Sequence, residues 1–95
     1  MASKYVNVCG KRIKYDSRFD FRPYCFFDLR EDELGITMDA VRIVLLRCRK
    51  KFKSAELSSV RILRISIIKL YEVKVIFSIS DDERLAYERE VKDGK

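Results

Sequence analysis

The sequence contains no histidine, and it has only one proline and three glycines among its 95 residues. Without histidine, the commonest general base of enzymes is missing, and Cys/His zinc sites are excluded. Gly10, Gly35 and Gly94 stand far apart, so the chain has no glycine-rich phosphate-binding loop. The scarcity of glycine and proline also argues against a disordered or linker-rich chain. We therefore expect a folded protein that is not an enzyme and that has no cofactor and no small-molecule substrate.

Cysteine is also sparse, and its spacing does not suggest a disulfide framework. Cys9, Cys25 and Cys48 are odd in number and widely separated. We expect three small, partly buried thiols, with a disulfide or an intermolecular bridge as the less favoured alternative. The acidic run at 28–33 offers carboxylates that suit a divalent cation, but adjacent carboxylates before a helix are usually solvated. We therefore expect no metal site.

No stretch of the sequence is long and apolar enough to predict a membrane-spanning helix. The longest apolar-rich stretch, residues 57–79, is interrupted by Arg61, Arg64, Lys69, Glu72 and Lys74. The N-terminal residues lack the apolar segment of a signal peptide, and Ala2 in place of glycine excludes myristoylation. We expect an intracellular protein, cytoplasmic or nuclear, with no membrane partner.

Charge is abundant and unevenly distributed along the chain. Charged residues make up 38% of the sequence, and the formal net charge is +6. Residues 42–79 carry ten basic and two acidic side chains, whereas residues 1–41 carry seven of each and residues 80–95 carry four and six. The whole positive surplus therefore lies in the middle of the chain, where it favours an anionic partner.

The hydrophobic pattern predicts a single small α+β domain over residues 1–95, with residues 93–95 as a frayed tail. The predicted order is β-β-(β)-α-β-β-α, a mostly antiparallel sheet with one main amphipathic helix packed on it and a short C-terminal helix. The sequence at 80–83 is that of a capping box, which begins the last helix.

The predicted strands differ in how clearly the sequence marks their ends. Gly10 and Lys11 separate two apolar-alternating segments, which predicts a hairpin with a type II′ turn and places Val8 opposite Ile13. Phe19 and Phe21 alternate with charged residues, which predicts a short extended segment, and Pro23 makes that segment an edge strand or a break in one. Residues 24–29 are predicted to form another strand. Residues 59–79 are rich in β-branched side chains, with a bulge or burial on both faces expected near Ile62. No turn residue marks the connection near residue 69, so a hairpin and one long bent strand both remain open.

The clearest element is a helix over residues 38–53, with Thr37 as its N-cap. Apolar residues at helical spacing predict its core face: Val41, Val44, Leu45, Cys48 and Phe52. Ile43 and Leu46 lie toward the opposite, basic face, where aliphatic side chains require a second layer or a protein partner. They are the predicted protein interface.

Seven basic residues form the candidate nucleic-acid-binding site: Arg42, Arg47, Arg49, Lys50, Lys51, Lys53 and Arg64. A dense basic run on the last turns of a helix neutralises phosphates and releases counterions. The helix dipole offers a purely structural reason for the same run, because it favours basic residues at a helix C-terminus. Arg61 and Lys74 extend the predicted patch across neighbouring strands. Exposed aromatic residues such as Phe19, Phe21 and Tyr24 would stack on unpaired bases.

Two hypotheses of function follow from these features. The first is a small basic protein that binds nucleic acid, DNA or RNA, by contacting phosphates through a basic helix as a homodimer. The alternative is a protein–protein interaction module, or a small inhibitor or adaptor such as a viral or mobile-element accessory protein, with no nucleic-acid role. The hypotheses are compatible, because dimerisation would join two basic surfaces.

Overall fold

The computed structural model describes residues 4–65, residue 67 and residues 70–93. Within them lie five strands and two α-helices, in the order β1 (Lys4–Val8), β2 (Lys11–Arg18), β3 (Tyr24–Arg30), α1 (Thr37–Lys51), β4 (Glu56–Ile65), β5 (Leu70–Ser78) and α2 (Asp81–Asp93). A 3-10 segment, Glu31–Ile36, connects β3 to α1. The predicted α+β class and element order are confirmed.

The five strands form one antiparallel sheet in the order β1-β2-β3-β5-β4, so β1 and β4 are its edges. Residues that pair across an antiparallel ladder share a face of the sheet. One face, the helix-covered face, carries the buried strand residues Val6, Val8, Ile13, Tyr15, Cys25, Phe27, Leu29, Val73, Val75 and Phe77. From α1 the core receives Ala40, Val41, Val44 and Cys48, followed by Phe52 just after the helix. Both helices lie on this face, because Tyr87 of α2 packs edge-to-face on Phe52 with ring centroids 5.2 Å apart.

The first hairpin turns one residue earlier than predicted. Cys9 and Gly10 occupy its two central positions with φ of 50° and 77°, so Val6 rather than Val8 pairs with Ile13. Positive φ at both positions belongs to a type I′ turn, and the predicted type II′ turn beginning at Gly10 is wrong. The pairing shifts by two residues, which preserves the face of every side chain. The predicted apolar face of the hairpin is therefore correct.

Pro23 precedes β3 and marks a break between strands. Residues 19–23 lie outside the strands, so the break is correct and the edge-strand alternative for that segment is wrong. The predicted strand 24–29 is confirmed as β3, which pairs with both β2 and β5. Proline has no N–H to donate, but the carbonyl of Pro23 accepts a hydrogen bond of 2.9 Å from the N–H of Phe77. Pro23 thus helps to hold the loop that precedes β3 against β5.

The long apolar stretch forms a hairpin. β4 and β5 pair from Glu56 opposite Ser78 to Ile65 opposite Leu70. The register irregularity lies between Leu57 and Ser59 rather than near Ile62. The connection near residue 69 and the end of the predicted tail, residues 94–95, lie outside the described residues.

The three cysteines are free thiols in two different environments. Cys25 and Cys48 are buried in the core, and Cys9 is exposed at the tip of the first hairpin. Burial raises the pKa of the Cys25 thiol to about 12 and that of the Cys48 thiol to about 11. Both buried thiols therefore stay protonated at neutral pH and act as small apolar side chains.

Glu83 connects the C-terminal helix α2 to the loop after α1 through hydrogen bonds. The N–H of Glu83 donates to the Ser80 hydroxyl at 3.2 Å, which is half of the predicted capping box. The Glu83 carboxylate accepts hydrogen bonds from the N–H groups of Lys53 and Ser54, both at 2.9 Å, and from the Ser54 hydroxyl. The Ser54 hydroxyl oxygen in turn accepts a 2.9 Å bond from the N–H of Ser80. The loop after α1 is thereby tied to the start of α2.

We predict that Glu83→Ala lowers the free energy of unfolding by about 1–2 kcal/mol, because it leaves two backbone N–H groups and a hydroxyl without their acceptor. Denaturant unfolding followed by circular dichroism measures the change. Glu88→Ala is the matched control on the same helix. Glu88 forms only a surface ion pair with Lys92, and its loss is expected to cost under about 0.5 kcal/mol. Equal losses for both variants would contradict this role.

The same interaction makes stability depend on pH in a defined direction. The Ser54 hydroxyl bond, followed by the two backbone N–H bonds, lowers the pKa of Glu83 below its ordinary value. The ionised carboxylate is therefore stabilised in the folded state, and its contribution is lost as the pH falls through the lowered folded-state pKa. The stability difference between wild type and Glu83→Ala should be full at neutral pH and shrink in acid.

Candidate nucleic-acid interface

Four of the seven predicted basic residues lie on the solvent side of α1 or just beyond it. Arg42, Arg49 and Lys50 are exposed on the helix, and Lys53 is exposed in the turn that follows. Arg42 and Arg49 are seven residues apart, two helical turns, so they share one stripe. Within the described residues, none of the four forms an ion pair with a carboxylate. We call this group the α1 cation cluster.

Arg49 has a second role in ending the helix. Its Nε–H donates to the carbonyl of Ala55 at 2.8 Å, which leaves its terminal guanidinium nitrogens for solvent. Arg49, Lys50 and Lys51 all occupy the last turn of α1, where the helix dipole attracts positive charge. The dipole therefore explains part of the basic run without a partner, but not Arg42, which lies near the middle of the helix.

Arg47 and Lys51 are turned toward the protein. The terminal nitrogen of Arg47 donates to the carbonyl of Tyr5 at 2.9 Å and to the buried hydroxyl of Tyr15 at 2.8 Å. The Lys51 ammonium donates to the carbonyl of Phe19 at 2.7 Å and lies 4.8 Å from the ring centre of Tyr87. One nitrogen of each side chain is engaged by the fold, so both residues contribute less to an external site than the basic run suggests.

The sheet divides the predicted strand cations between its two faces. Arg64 pairs with Tyr71, beside the Ile62–Val73 pair, and lies on the helix-covered face. Arg61 pairs with Lys74, which in turn pairs with Phe26, and all three lie on the opposite face. The predicted patch is therefore split, with only Arg64 on the same side of the sheet as α1.

The two residues of the predicted protein interface differ in exposure. Ile43 is half-buried and packs against the core, because it lies on the flank of the helix rather than on its solvent side. Leu46 is 54% exposed, and it lies four residues after Arg42 and three before Arg49, within the basic stripe. Similar apolar exposure occurs at two adjacent residues of edge strand β4, where Ile62 and Leu63 are 49% and 53% exposed.

The three aromatic residues predicted to stack on bases have different surroundings. Phe19 is half-buried and packs edge-to-face on Phe77, with ring centroids 6.5 Å apart. Phe21 is exposed and contacts Tyr87, with ring centroids 5.0 Å apart. Only Tyr24 lies on the sheet face that the helices do not cover, where Phe26 accompanies it.

Two of the acidic residues after β3, Asp32 and Glu33, form contacts within the fold. Asp32 forms an ion pair of 3.1 Å with Lys11, and this hydrogen-bonded contact holds the pKa of the Asp32 carboxyl below its usual value. Glu33 accepts a 2.8 Å hydrogen bond from the N–H of Arg30. Among the residues that the structure describes, no cluster of acidic or cysteine side chains has the arrangement of a metal site. In the same part of the chain, neither helix has the length and apolar character needed to cross a bilayer.

Comparisons with protein-family models, curated proteins and solved structures give no match for this chain. Its function must therefore be inferred from the surfaces described above.

We predict that Arg47→Met lowers the free energy of unfolding by about 1 kcal/mol, because the buried Tyr15 hydroxyl loses its donor while the apolar stem is kept. Arg42→Met removes the same charge from a side chain with no hydrogen bond in the described structure, and should change stability by less than about 0.5 kcal/mol. Thermal and urea unfolding of the two variants compare them directly. Indistinguishable stabilities would show that Arg47 has no structural role.

Proposed function

We propose that the protein binds nucleic acid by placing the α1 cation cluster against phosphate groups. The observation that carries the proposal is that Arg42, Arg49 and Lys50 on α1 and Lys53 in the turn after it are exposed and form no ion pair with a carboxylate in the described residues. Cations left unpaired on a rigid helix attract phosphates at long range and release condensed counterions on contact.

The chemistry of α1 favours recognition of the backbone over recognition of sequence. Asparagine and glutamine, the side chains that read adenine edges, do not occur in the helix. Arg42 and Arg49 stand about 10 Å apart along the helix axis, from a rise of about 1.5 Å per residue. Both therefore reach different phosphates of one strand, and binding is expected to be strong at low salt and weakly selective for sequence.

We predict that the double substitution Arg42→Glu and Lys50→Glu weakens binding to DNA and RNA alike. Each lost phosphate contact should reduce the slope of log K against log salt by about 1. Fluorescence anisotropy with labelled oligonucleotides over a range of salt concentrations measures both effects. Arg49 and Lys53 are left in place, because they or their backbone also bond to the loop after α1 and to Glu83.

The matched control is Arg89→Glu with Lys92→Glu on α2, which changes the net charge by the same amount at exposed positions outside the cluster. A control that loses as much affinity as the α1 variant would show that net charge alone drives binding. Wild-type protein that binds neither DNA nor RNA at low salt would overturn the proposal.

A second candidate function, pairing of two copies through edge strand β4, is favoured by the exposure of that strand. β4 is ten residues long and has no neighbour on its outer side in the described structure. Its outer backbone groups are therefore open to another strand. Ile62 on one face and Leu63 on the other add apolar side chains that a partner strand would cover.

The sequence of β4 is compatible with antiparallel pairing to itself. A two-fold axis at Ile62 places Arg61 opposite the partner's Leu63 and Arg64 opposite the partner's Val60. No like charges then face each other directly, and residues of one face meet residues of the same face. A dimer of this kind extends the sheet to twice its width and carries two α1 cation clusters.

We predict that Ile62→Asp converts a wild-type dimer to a monomer, because it places two carboxylates opposite each other at the centre of the interface. Sedimentation velocity over a range of concentrations reports the change. Leu85→Asp on α2 is the control, since Leu85, at 53%, is about as exposed as Ile62, at 49%, but lies outside the strand. Wild-type protein that stays monomeric at high concentration would exclude this function.

A further inference from the structure

The face of the sheet that points away from α1 and α2, here called the open sheet face, carries a second group of cations. No helix or strand among the described residues covers it. At the end of the sheet near Pro23, its side chains are half-buried or exposed: Arg18, Tyr24, Phe26, Arg61, Lys74 and Ile76. Cross-strand pairing places Tyr24 between Arg18 and Ile76, and Lys74 between Phe26 and Arg61.

A groove of about 370 Å³ lies in this face, a volume within the range of small-ligand sites. It is lined by Arg18, Asp20, Arg22, Tyr24, Lys74 and Ile76. Asp20 is already engaged, because its carboxylate accepts a 2.6 Å contact from Nε of Arg18 and a 3.3 Å bond from the N–H of Arg22. The guanidinium of Arg22 and the ammonium of Lys74 have no carboxylate partner in the described structure. The groove therefore carries two uncompensated positive charges.

A larger hollow beside the same loop lacks this charge preference. It has a volume of about 790 Å³ and is bordered by Lys4 and Arg18 together with Asp16 and Asp20. Its lining also includes residues from both faces of the sheet, such as Tyr15 and Phe26. Two cations balanced by two carboxylates give no net attraction for an anion, so the smaller groove is the better candidate site.

Tyr24 presents an aromatic surface inside the groove. Phe26 packs edge-to-face against it, with ring centroids 5.1 Å apart and an angle of 74° between the planes. The Lys74 ammonium lies 5.5 Å from the ring centre of Phe26, so Phe26 contacts both Tyr24 and Lys74. Tyr24 thus packs against Phe26, and Ile76, which pairs with Tyr24 across the two strands, adds an apolar side chain that is 38% exposed.

We propose that this groove binds one unpaired nucleotide of a single-stranded nucleic acid, with the base stacked on Tyr24 and the adjoining phosphates paired with Arg22 and Lys74. Arg18, fixed by Asp20, forms the wall beside Tyr24, and Arg61 next to Lys74 continues the path of positive charge toward the edge of the sheet. The site shares no residue with the α1 cation cluster, so it does not depend on the function proposed for that helix.

The occupant is single-stranded because of the geometry of stacking. The faces of bases in a duplex are covered by neighbouring base pairs, whereas an unpaired base exposes a face to an aromatic side chain. A flat sheet with one ring between cations also accepts any base, because stacking does not read hydrogen-bonding edges. The groove thus gives the protein a preference for unpaired strands, whereas the α1 cation cluster contacts phosphates of either form.

The test compares binding of a labelled oligothymidine with binding of a labelled hairpin duplex of equal length, measured by fluorescence anisotropy at fixed salt. Tyr24→Leu, which keeps an apolar side chain of similar size in the strand, should lower the affinity for oligothymidine about tenfold. The affinity for the duplex should stay within about twofold of wild type. Tyr24→Phe keeps the ring and should bind both probes like wild type, and circular dichroism verifies that both variants fold.

Tyrosine emission supplies a direct readout of the stacking contact. The chain has five tyrosines and no tryptophan, so tyrosine fluorescence is not masked. Oligothymidine should quench part of the wild-type emission, and that part should be missing in Tyr24→Phe although its affinity is retained. Quenching of equal size in Tyr24→Phe would place the base elsewhere and overturn the proposal.

Three further results distinguish the groove from the function proposed for α1. Arg22→Glu should weaken oligothymidine binding more than duplex binding, whereas the α1 double variant weakens both. If the α1 variant binds normally while Tyr24→Leu loses only the single strand, the helix proposal fails and the groove stands. If Tyr24→Leu binds oligothymidine like wild type, the groove is not a nucleotide site. The same conclusion follows if polyglutamate displaces labelled oligothymidine from the wild-type protein as effectively as unlabelled oligothymidine does.

Discussion

The packing of both helices on one face of the sheet determines which side chains of this protein meet solvent. Once α1 covers that face, strand alternation assigns every residue of β1, β2, β3 and β5 either to the core or to the open sheet face. Val73 and Val75 are fully buried on β5, but Ile62 on the same face of the neighbouring strand β4 is about half exposed. The core on this face therefore reaches Val60 of β4, but it does not cover Ile62. The outer part of edge strand β4 is thus left exposed, and strand alternation places Arg61 and Lys74 on the face opposite to α1.

The basic residues of the middle segment serve two purposes that composition alone does not separate. Arg47 and Lys51 stabilise the fold by donating to Tyr15 and to the carbonyl of Phe19, and Arg49 helps to close the helix end. Arg42 and Lys50 have no such contacts in the described structure. The hydrogen bonds of Arg47, Arg49 and Lys51 are exposed or part-buried, so they join the flanks of α1 to neighbouring segments at the rim of the core. The cations left over for a partner are those that point directly away from the sheet.

Features that depend on local patterning could be predicted from the sequence. The core face of α1 and the inward residues of the first hairpin follow from periodicity, which survives a shift of two residues in register. The turn position was wrong because Cys9 adopts a positive φ, which β-turn statistics assign mainly to glycine and asparagine. Glu83 was assigned to its own helix, but it bonds to the loop after α1, a contact that depends on tertiary structure.

The candidate sites were only partly predictable, because sequence neighbours are not always neighbours in space. Arg61 and Arg64 were assigned to one patch, yet their odd spacing in β4 places them on opposite faces of the sheet. Tyr24 was identified as an aromatic residue able to stack, but its groove needed the pairing of β3 with β5 to bring Lys74 and Ile76 beside it. Side-chain alternation along β4 is enough to place Arg61 and Arg64 on opposite faces once the strand is known. The order of the strands in the sheet, by contrast, is not marked by any short sequence pattern.

The hairpin tip has a practical consequence for chemical labelling. Cys9 is the exposed thiol of the three, whereas burial keeps the thiols of Cys25 and Cys48 protonated and out of reach of reagents. A maleimide dye or spin label should therefore attach at one position of the native protein without engineering. That position belongs neither to the α1 cation cluster nor to the groove on the open sheet face, so a probe there reports on complexes and distances without occupying either surface.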